Sequence, residues 1–310
     1  MGNEKMGNEN KPMKLAYYPG CTLKNQATNF DVSTVSSMLK LDVEVEELER
    51  WNCCGTVHAL GSDNVMNRVA PITNMIRVKE AQAKTEGMAS EFMTSCAMCY
   101  NTLKRANIDV QQRADALETI NELLYLEETK YEGDVEVLHL LEYLRDRVGF
   151  DNLAKKVTKP LKGLRVASYY GCLLMRPKEV AFDDAENPSV MENLIRALGA
   201  TPVEFSHKME CCGAYQTVDK PEIIADRTDK IMGSAYEEQA DLVVVSCPLC
   251  AFNLDFRQDD AKRLNPEFHN MPVLYFTQLM AVAFGCDESA LRFDLQHIDP
   301  LPVLKARGLD

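Results

Sequence analysis

Along the chain, short runs dense in apolar, β-branched and aromatic residues alternate with longer segments of helical spacing. In the first half the short runs are KLAYYPGC, ending at Cys21, DVEVEELERWNCC, ending at Cys54, SEFMTSCAMC, ending at Cys99, and DVEVLHLLEYL, a strand stepping into a helix. The second half repeats the order. LRVASYYGC ends at Cys172, TPVEFSHKMECC at Cys212 and DLVVVSCPLC at Cys250, and MPVLYFTQLM makes the same strand-to-helix step. Between these runs, DNVMNRVAPITNMIRVKEAQAK and PSVMENLIRALG carry the helical pattern, the second closed by Gly199, where a helix C-terminus favours glycine.

Strands alternating with helices imply right-handed crossovers and a parallel sheet in each half. The expected class is α/β: two homologous Rossmann-like domains, each a small parallel sheet flanked by helices, related by pseudo-two-fold symmetry. Corresponding cysteines recur at near-constant offsets, 151 from Cys21 to Cys172, 158 from Cys53 to Cys211 and 151 from Cys96 to Cys247. We expect a first domain over 13–153, a linker over 154–163, rich in lysine, proline and glycine, and a second domain over 164–310. The polar stretch 1–12, with its repeated MGNE, reads as a flexible tail.

Charge narrows the partners. With 34 Lys and Arg against 47 Asp and Glu, the net charge of -13 argues against nucleic acid, whose binding rests on clustered cations. No stretch approaches the roughly 18 uninterrupted apolar residues of a membrane span, so a cytoplasmic protein without direct membrane insertion is expected. In a reducing compartment the eleven cysteines point to metal or redox work rather than to structural bridges.

Two of the cysteine runs set thiols side by side and follow them with glycine: Cys53-Cys54-Gly55 and Cys211-Cys212-Gly213. Neighbouring Cα atoms lie about 3.8 Å apart, closer than the roughly 4.4–6.8 Å of a relaxed disulfide, so adjacent soft ligands are the better reading. All the motif cysteines follow strands, and in open α/β sheets ligands bind beyond the strands' carboxyl ends. Cys286 has no counterpart in the repeat and reads as a buried small hydrophobe. Structural zinc, with Cys96 and Cys99 or Cys247 and Cys250 as half-sites, stays open as an alternative in one half, although zinc closes with four ligands and each half offers five. An iron–sulfur cluster uses many thiolates, but a cubane takes only four.

The pattern Cys21, Cys53-Cys54-Gly55, Cys96-x-x-Cys99, repeated as Cys172, Cys211-Cys212-Gly213, Cys247-x-x-Cys250, resembles the cysteine-rich CCG domain found in duplicate in the B-type subunit of heterodisulfide reductase. The resemblance runs from about Lys14 to Gly285. It implies two non-cubane four-iron four-sulfur clusters, each held by five cysteines, and so accounts for the fifth thiolate. It also implies two partners, a ferredoxin-like subunit with cubane clusters and a flavin-bearing subunit that feeds it, and a disulfide or thiol as substrate. One spacing departs: Cys96 follows Cys54 by 42 positions, whereas Cys247 follows Cys212 by 35. A longer helix in the first half is the expected cause.

No ferredoxin-type cysteine run and no G-x-G-x-x-G after a strand is present, so electrons are expected from another protein. The expected function is the catalytic iron–sulfur subunit of a disulfide reductase complex, the alternative an electron-transfer subunit relaying to a partner enzyme or membrane complex. Cys54 and Cys212 are the candidate catalytic ligands. His58 and His207, each four residues from a CC pair, are candidate proton carriers, imidazole titrating near neutrality; the competing reading is a histidine satisfied by the main chain. His139 reads as core. Arg176 and Lys178, after Cys172, could meet an anion, though exposed loop charges are commoner.

Overall fold

The computed structural model describes residues 13–56, 61 and 64–309. The tail 1–12 and His58 lie outside the described residues. All eight short runs become strands. β1 (Met13–Tyr17), β2 (Val43–Glu47), β3 (Glu91–Thr94) and β4 (Glu136–His139) belong to the first half. β5 (Arg165–Tyr169), β6 (Thr201–Val203), β7 (Leu242–Val245) and β8 (Val273–Tyr275) belong to the second. They pair, parallel throughout, in the orders β2-β1-β3-β4 and β6-β5-β7-β8. The same topology twice over is what the doubled hydrophobic pattern requires. Central strand β7 reads LVVV and is buried at every position, as a strand covered by helices on both faces must be.

The first half carries α1 (Cys21–Asn25), α2 (Thr28–Lys40), α3 (Met66–Lys84), α4 (Ala97–Gln112), α5 (Ala114–Leu123), α6 (Leu140–Tyr143) and α7 (Phe150–Lys155). The second carries α8 (Val190–Ala197), α9 (Pro221–Glu237), α10 (Pro248–Phe256), α11 (Gln258–Leu264) and α12 (Phe276–Ala283), with α13 (Glu288–Leu291) and α14 (Leu301–Ala306) ending the chain. In α8, Val190, Met191, Leu194 and Ile195 recur at helical spacing and are buried together. The expected longer helix explains little of the extra spacing in the first half: α3 has 19 residues and α9 has 17. Most of the surplus falls in the connections on either side of α3.

The halves interlock by exchanging equivalent contacts. α2 packs on α12 of the second half, and α6 meets α8. Phe30 on α2 stacks on Tyr275 at the end of β8, with ring centroids 4.1 Å apart and planes at 6°. Phe182 of the second half stacks on His139 at the end of β4, at 5.8 Å and 12°. His139 is fully buried, and its Nδ1 accepts a bond from Leu141 N, capping α6, while Nε2 lies 2.9 Å from Ser95 O. Between the halves, Ser33 Oγ and Thr277 Oγ1 share a buried hydrogen bond of 2.6 Å.

Candidate functional site

In each sheet the order reverses between the first and third strands of the half, and the cysteine loops leave from the carboxyl ends around that switch. There the five thiols of each half form a chain with the same connectivity. In the first half Cys21 Sγ lies 3.8 Å from Cys53 Sγ and Cys54 Sγ lies 3.7 Å from Cys99 Sγ. Further thiol contacts join Cys53 to Cys54 and Cys99 to Cys96. In the second, Cys172 Sγ is 3.7 Å from Cys211 Sγ and Cys212 Sγ is 3.6 Å from Cys250 Sγ, with Cys211 joined to Cys212 and Cys250 to Cys247. Cys21, Cys53 and Cys211 are exposed and Cys172 half-buried, whereas Cys54, Cys96, Cys99, Cys212, Cys247 and Cys250 are buried. Each set therefore has an outer pair open to solvent and an inner trio shielded from it. Among the described residues, no three His, Cys, Asp or Glu side chains close around one point as a single metal ion needs.

Local structure explains the convergence. Tyr18 Oη donates to Asn52 O at 2.9 Å, and Tyr169 Oη to Glu210 O at 2.6 Å, so in each half a tyrosine at the carboxyl end of the first strand ties down the residue before the CC pair. The intervening glycines make room for sulfur. Gly20 and Gly171 have φ of 77° and 65°, and a Cβ would stand 2.8 Å from Cys99 Sγ at Gly20 and 3.3 Å from Cys250 Sγ at Gly171. Cys96 and Cys247 are the N-cap residues of α4 and α10, at the positive ends of those helices.

Five thiols this close share charge unevenly. Hydrogen bonding with Cys53 and Cys99 pulls the Cys54 thiol well below the ordinary range, and the Cys99 thiol is correspondingly pushed up. Cys211 is pulled down by Cys172 and Cys212, assisted by the Gly213 and Ala214 N–H groups. Main-chain and side-chain donors face the sulfurs: Gly213 N lies 3.3 Å from Cys211 Sγ and Asn253 Nδ2 3.6 Å from Cys212 Sγ. Such a pocket favours several thiolates and needs positive charge to ionise them all, which metal ions supply. The donor set, the glycine cradles and the N–H groups fit iron–sulfur binding.

The two sets are neighbours. Ala97 N, next to Cys96, donates 3.0 Å to Ser246 O, next to Cys247, so one main-chain hydrogen bond joins the loops of opposite halves. Tyr215 feels both sets. Burial, and then the charges of Cys172, Cys247, Cys211 and Cys54, push its phenol up to about 12. His207 contacts Ser206 Oγ at 2.9 Å, and its Nε2 lies 3.6 Å from the Glu210 carboxylate. Arg176 pairs with Glu186 at 3.4 Å.

The model of the cysteine-rich CCG domain matches twice, over residues 15–104 and 166–255. The chain belongs to the CCG cysteine-rich domain family. It is 32% identical over 287 residues to the 8-methylmenaquinol:fumarate reductase membrane anchor subunit of Wolinella succinogenes, covering 92% of this chain and 97% of that protein. It is 28% identical to the B-type subunit of the ferredoxin/F(420)H(2)-dependent CoB-CoM heterodisulfide reductase of Methanosarcina acetivorans, over 94% of this chain and 96% of the relative. A protein of Archaeoglobus profundus, named as similar to the B-type subunit of heterodisulfide reductase, is 27% identical, over 89% and 92%. A hypothetical protein from Helicobacter pylori of known structure shares the fold, with a TM-score of 0.72 at 14% identity; the match covers 93% of this chain and about half, 52%, of that one. No helix among the described residues is long and apolar enough to cross a membrane.

Both CCG halves contain supports that a search for cysteines passes over. Tyr18 and Tyr169 were legible as a shared Tyr-x-Gly-Cys. Thr102 and Asn253, three residues beyond Cys99 and Cys250, take equivalent places beside Cys54 and Cys212 with different chemistry, so the repeat alone hides them. Tyr215 has no sequence signal, because what marks it is the charge of cysteines from both halves, which only the fold brings near it.

Proposed function

We propose that this chain is an iron–sulfur subunit of a multisubunit oxidoreductase. Cys21, Cys53, Cys54, Cys96 and Cys99 would hold one non-cubane four-iron four-sulfur cluster, and Cys172, Cys211, Cys212, Cys247 and Cys250 a second. The observation that carries the reading is the five-thiol chain of identical connectivity in the two halves. A zinc site would gather four donors about one point and a cubane would leave one cysteine over. Bound here, the clusters would supply one-electron chemistry and iron open to a sulfur ligand.

The chain's own residues do the rest. The inner trios exclude water, the N–H groups and helix ends hold thiolate charge, and the Ala97 to Ser246 bond keeps the sets at a constant separation. Within this reading we propose that the protein reduces, or forms, a disulfide in the space beside Tyr215, where both sets exert their field. One substrate sulfur would be received by each half, His207 and His58 would carry protons, and electrons would come from ferredoxin-like and flavin-bearing partners. The two relatives named for heterodisulfide reductase support this assignment. A second reading, electron relay without a disulfide substrate, is favoured by the relative named for quinol:fumarate reductase.

Iron and zinc analysis of the anaerobic complex should give about eight irons per chain. Cys212→Ala should abolish disulfide turnover while the first cluster stays visible by electron paramagnetic resonance. Bound zinc with little iron would sink the cluster assignment, and turnover retained without the second cluster would favour relay.

A further inference from the structure

The two CCG halves bring comparable main-chain donors to their CC pairs. The Gly55 and Thr56 N–H groups face Cys53 and Cys54, and those of Gly213 and Ala214 face Cys211. The side chain three residues beyond the C-x-x-C motif breaks the match. Thr102 stands there in α4 and Asn253 in α10, both fully buried and each beside the inner cysteine of its CC pair. Asn253 Nδ2 lies 3.1 Å from Cys212 O and 3.6 Å from Cys212 Sγ. A carbonyl only accepts, so the contact with Cys212 O fixes which end of the amide is nitrogen, and the second hydrogen of that nitrogen goes to the sulfur. Thr102 has a single hydroxyl hydrogen, and Met98 O at 3.0 Å competes with Cys54 for it. Cys212 therefore has a side-chain donor to itself, whereas Cys54 shares one.

The fold has no need of an amide at this place. Asn253 Oδ1 is buried without a partner among the described residues, a condition that native interiors avoid unless the group serves another end. The residue is firmly held all the same: Thr228 Oγ1 on α9 donates to Asn253 O at 3.1 Å, and the side chain is tied to Cys212 O. The hydroxyl at the equivalent position of the first half satisfies itself on its own helix, at Met98 O. What Asn253 adds is an N–H directed at a ligand sulfur, in an interior of low dielectric where such a bond is strong. Hydrogen bonds to ligand sulfurs stabilise the state that carries more negative charge, and so raise the reduction potential of an iron–sulfur centre.

Given the iron–sulfur reading above, on which this rests, we propose that Asn253 is a positioning residue that raises the reduction potential of the second cysteine set above that of the first, so that an electron entering the chain settles in the second half. The test is a swap across the repeat. Anaerobic chains carrying Asn253→Thr, Thr102→Asn or neither are analysed for iron and then titrated electrochemically, with visible absorption and electron paramagnetic resonance as readouts; Cys54→Ala and Cys212→Ala assign the signals to the two sets. In the unsubstituted chain the second set should be reduced first. Asn253→Thr should lower its equilibrium constant for reduction about tenfold, which is roughly 59 mV for one electron and the value of one hydrogen bond to a charged acceptor, and leave the first set unchanged. Thr102→Asn should raise the first set by a similar factor and leave the second unchanged. A merely structural Asn253 would cost iron or thermal stability without moving a potential. Equal potentials in the unsubstituted chain, or a first set reduced before the second, overturns the assignment, as does an Asn253→Thr chain of full iron content whose second potential stays where it was. Where Asn253→Thr loses iron from the second half, Thr102→Asn decides, and an unmoved first potential overturns the assignment. A chain that holds no iron would instead sink the iron–sulfur reading itself, and the role of Asn253 with it.

Discussion

Replacing Gly20 with alanine tests whether the glycine before the first cysteine exists to make room for a ligand sulfur. Gly20 has φ 77° and ψ 163°, a region all but closed to residues with a Cβ, so the substitution costs about 1–3 kcal/mol in backbone strain alone. Its Cβ would stand 2.8 Å from Cys99 Sγ, where ordinary contact begins at 3.4 Å. The thiol, itself 3.7 Å from Cys54 Sγ, must give by roughly 0.6 Å, enough to disturb a preorganised ligand set. Two controls separate strain from displacement. Gly55→Ala carries a similar strain, φ being 85°, but its nearest neighbour is Ala70 Cβ at 4.0 Å, and Gly171→Ala meets Cys250 Sγ at a milder 3.3 Å. The assay is iron and acid-labile sulfide per chain after anaerobic reconstitution, read beside the thermal midpoint. All three variants should lose a few degrees, yet only Gly20→Ala should lose about half the iron, all from the first set. Full iron in Gly20→Ala, or the same loss in Gly55→Ala, would refute the reasoning.

Acid should destabilise the fold through His139. Burial lowers its imidazole to about 3 from an ordinary 6.5, so the neutral ring stabilises the fold above 6.5 and that contribution is lost as pH falls toward 3. At pH 5 the loss is about 2 kcal/mol, and denaturant titrations of His139→Asn, whose side chain can still cap α6, should lack this component. Lys208 pairs with buried Glu192 at 3.1 Å, and its main-chain carbonyl accepts from Tyr170 N and Gly171 N at the Cys172 loop. Lys208→Met leaves the buried Glu192 carboxylate without its cation, held by the Tyr170 hydroxyl alone, and should cost about 3–5 kcal/mol, whereas Lys208→Met with Glu192→Leu should recover much of it; equal losses in thermal unfolding would discount the pair. Tyr169→Phe removes the donor to Glu210 O and should cost about 1 kcal/mol, with the spectrum of the second cluster altered and that of the first unchanged.

Much of this molecule is determined locally. Alternation of period two against three and four places the strands and helices, and β-branched runs such as LVVV can be satisfied only inside a sheet covered on both faces. Because the pattern is doubled, so is the sheet order, and because every cysteine run follows a strand, the thiols of a half gather at one end of their sheet. What tertiary structure alone decided concerns pairs of residues far apart in the chain. The connectivity of the five sulfurs, the crossed stacking of Phe30 on Tyr275 and Phe182 on His139, and Tyr215 standing by both sets depend on how two packed surfaces meet. The side-chain donors to the inner sulfurs depend on it too. Thr102 and Asn253 hold the same place in the repeat, yet that one shares its hydroxyl and the other gives a sulfur its own N–H appears only when each helix is packed against its CC pair. Local periodicity reports which face of an element is buried; it carries no information about which distant residue does the burying.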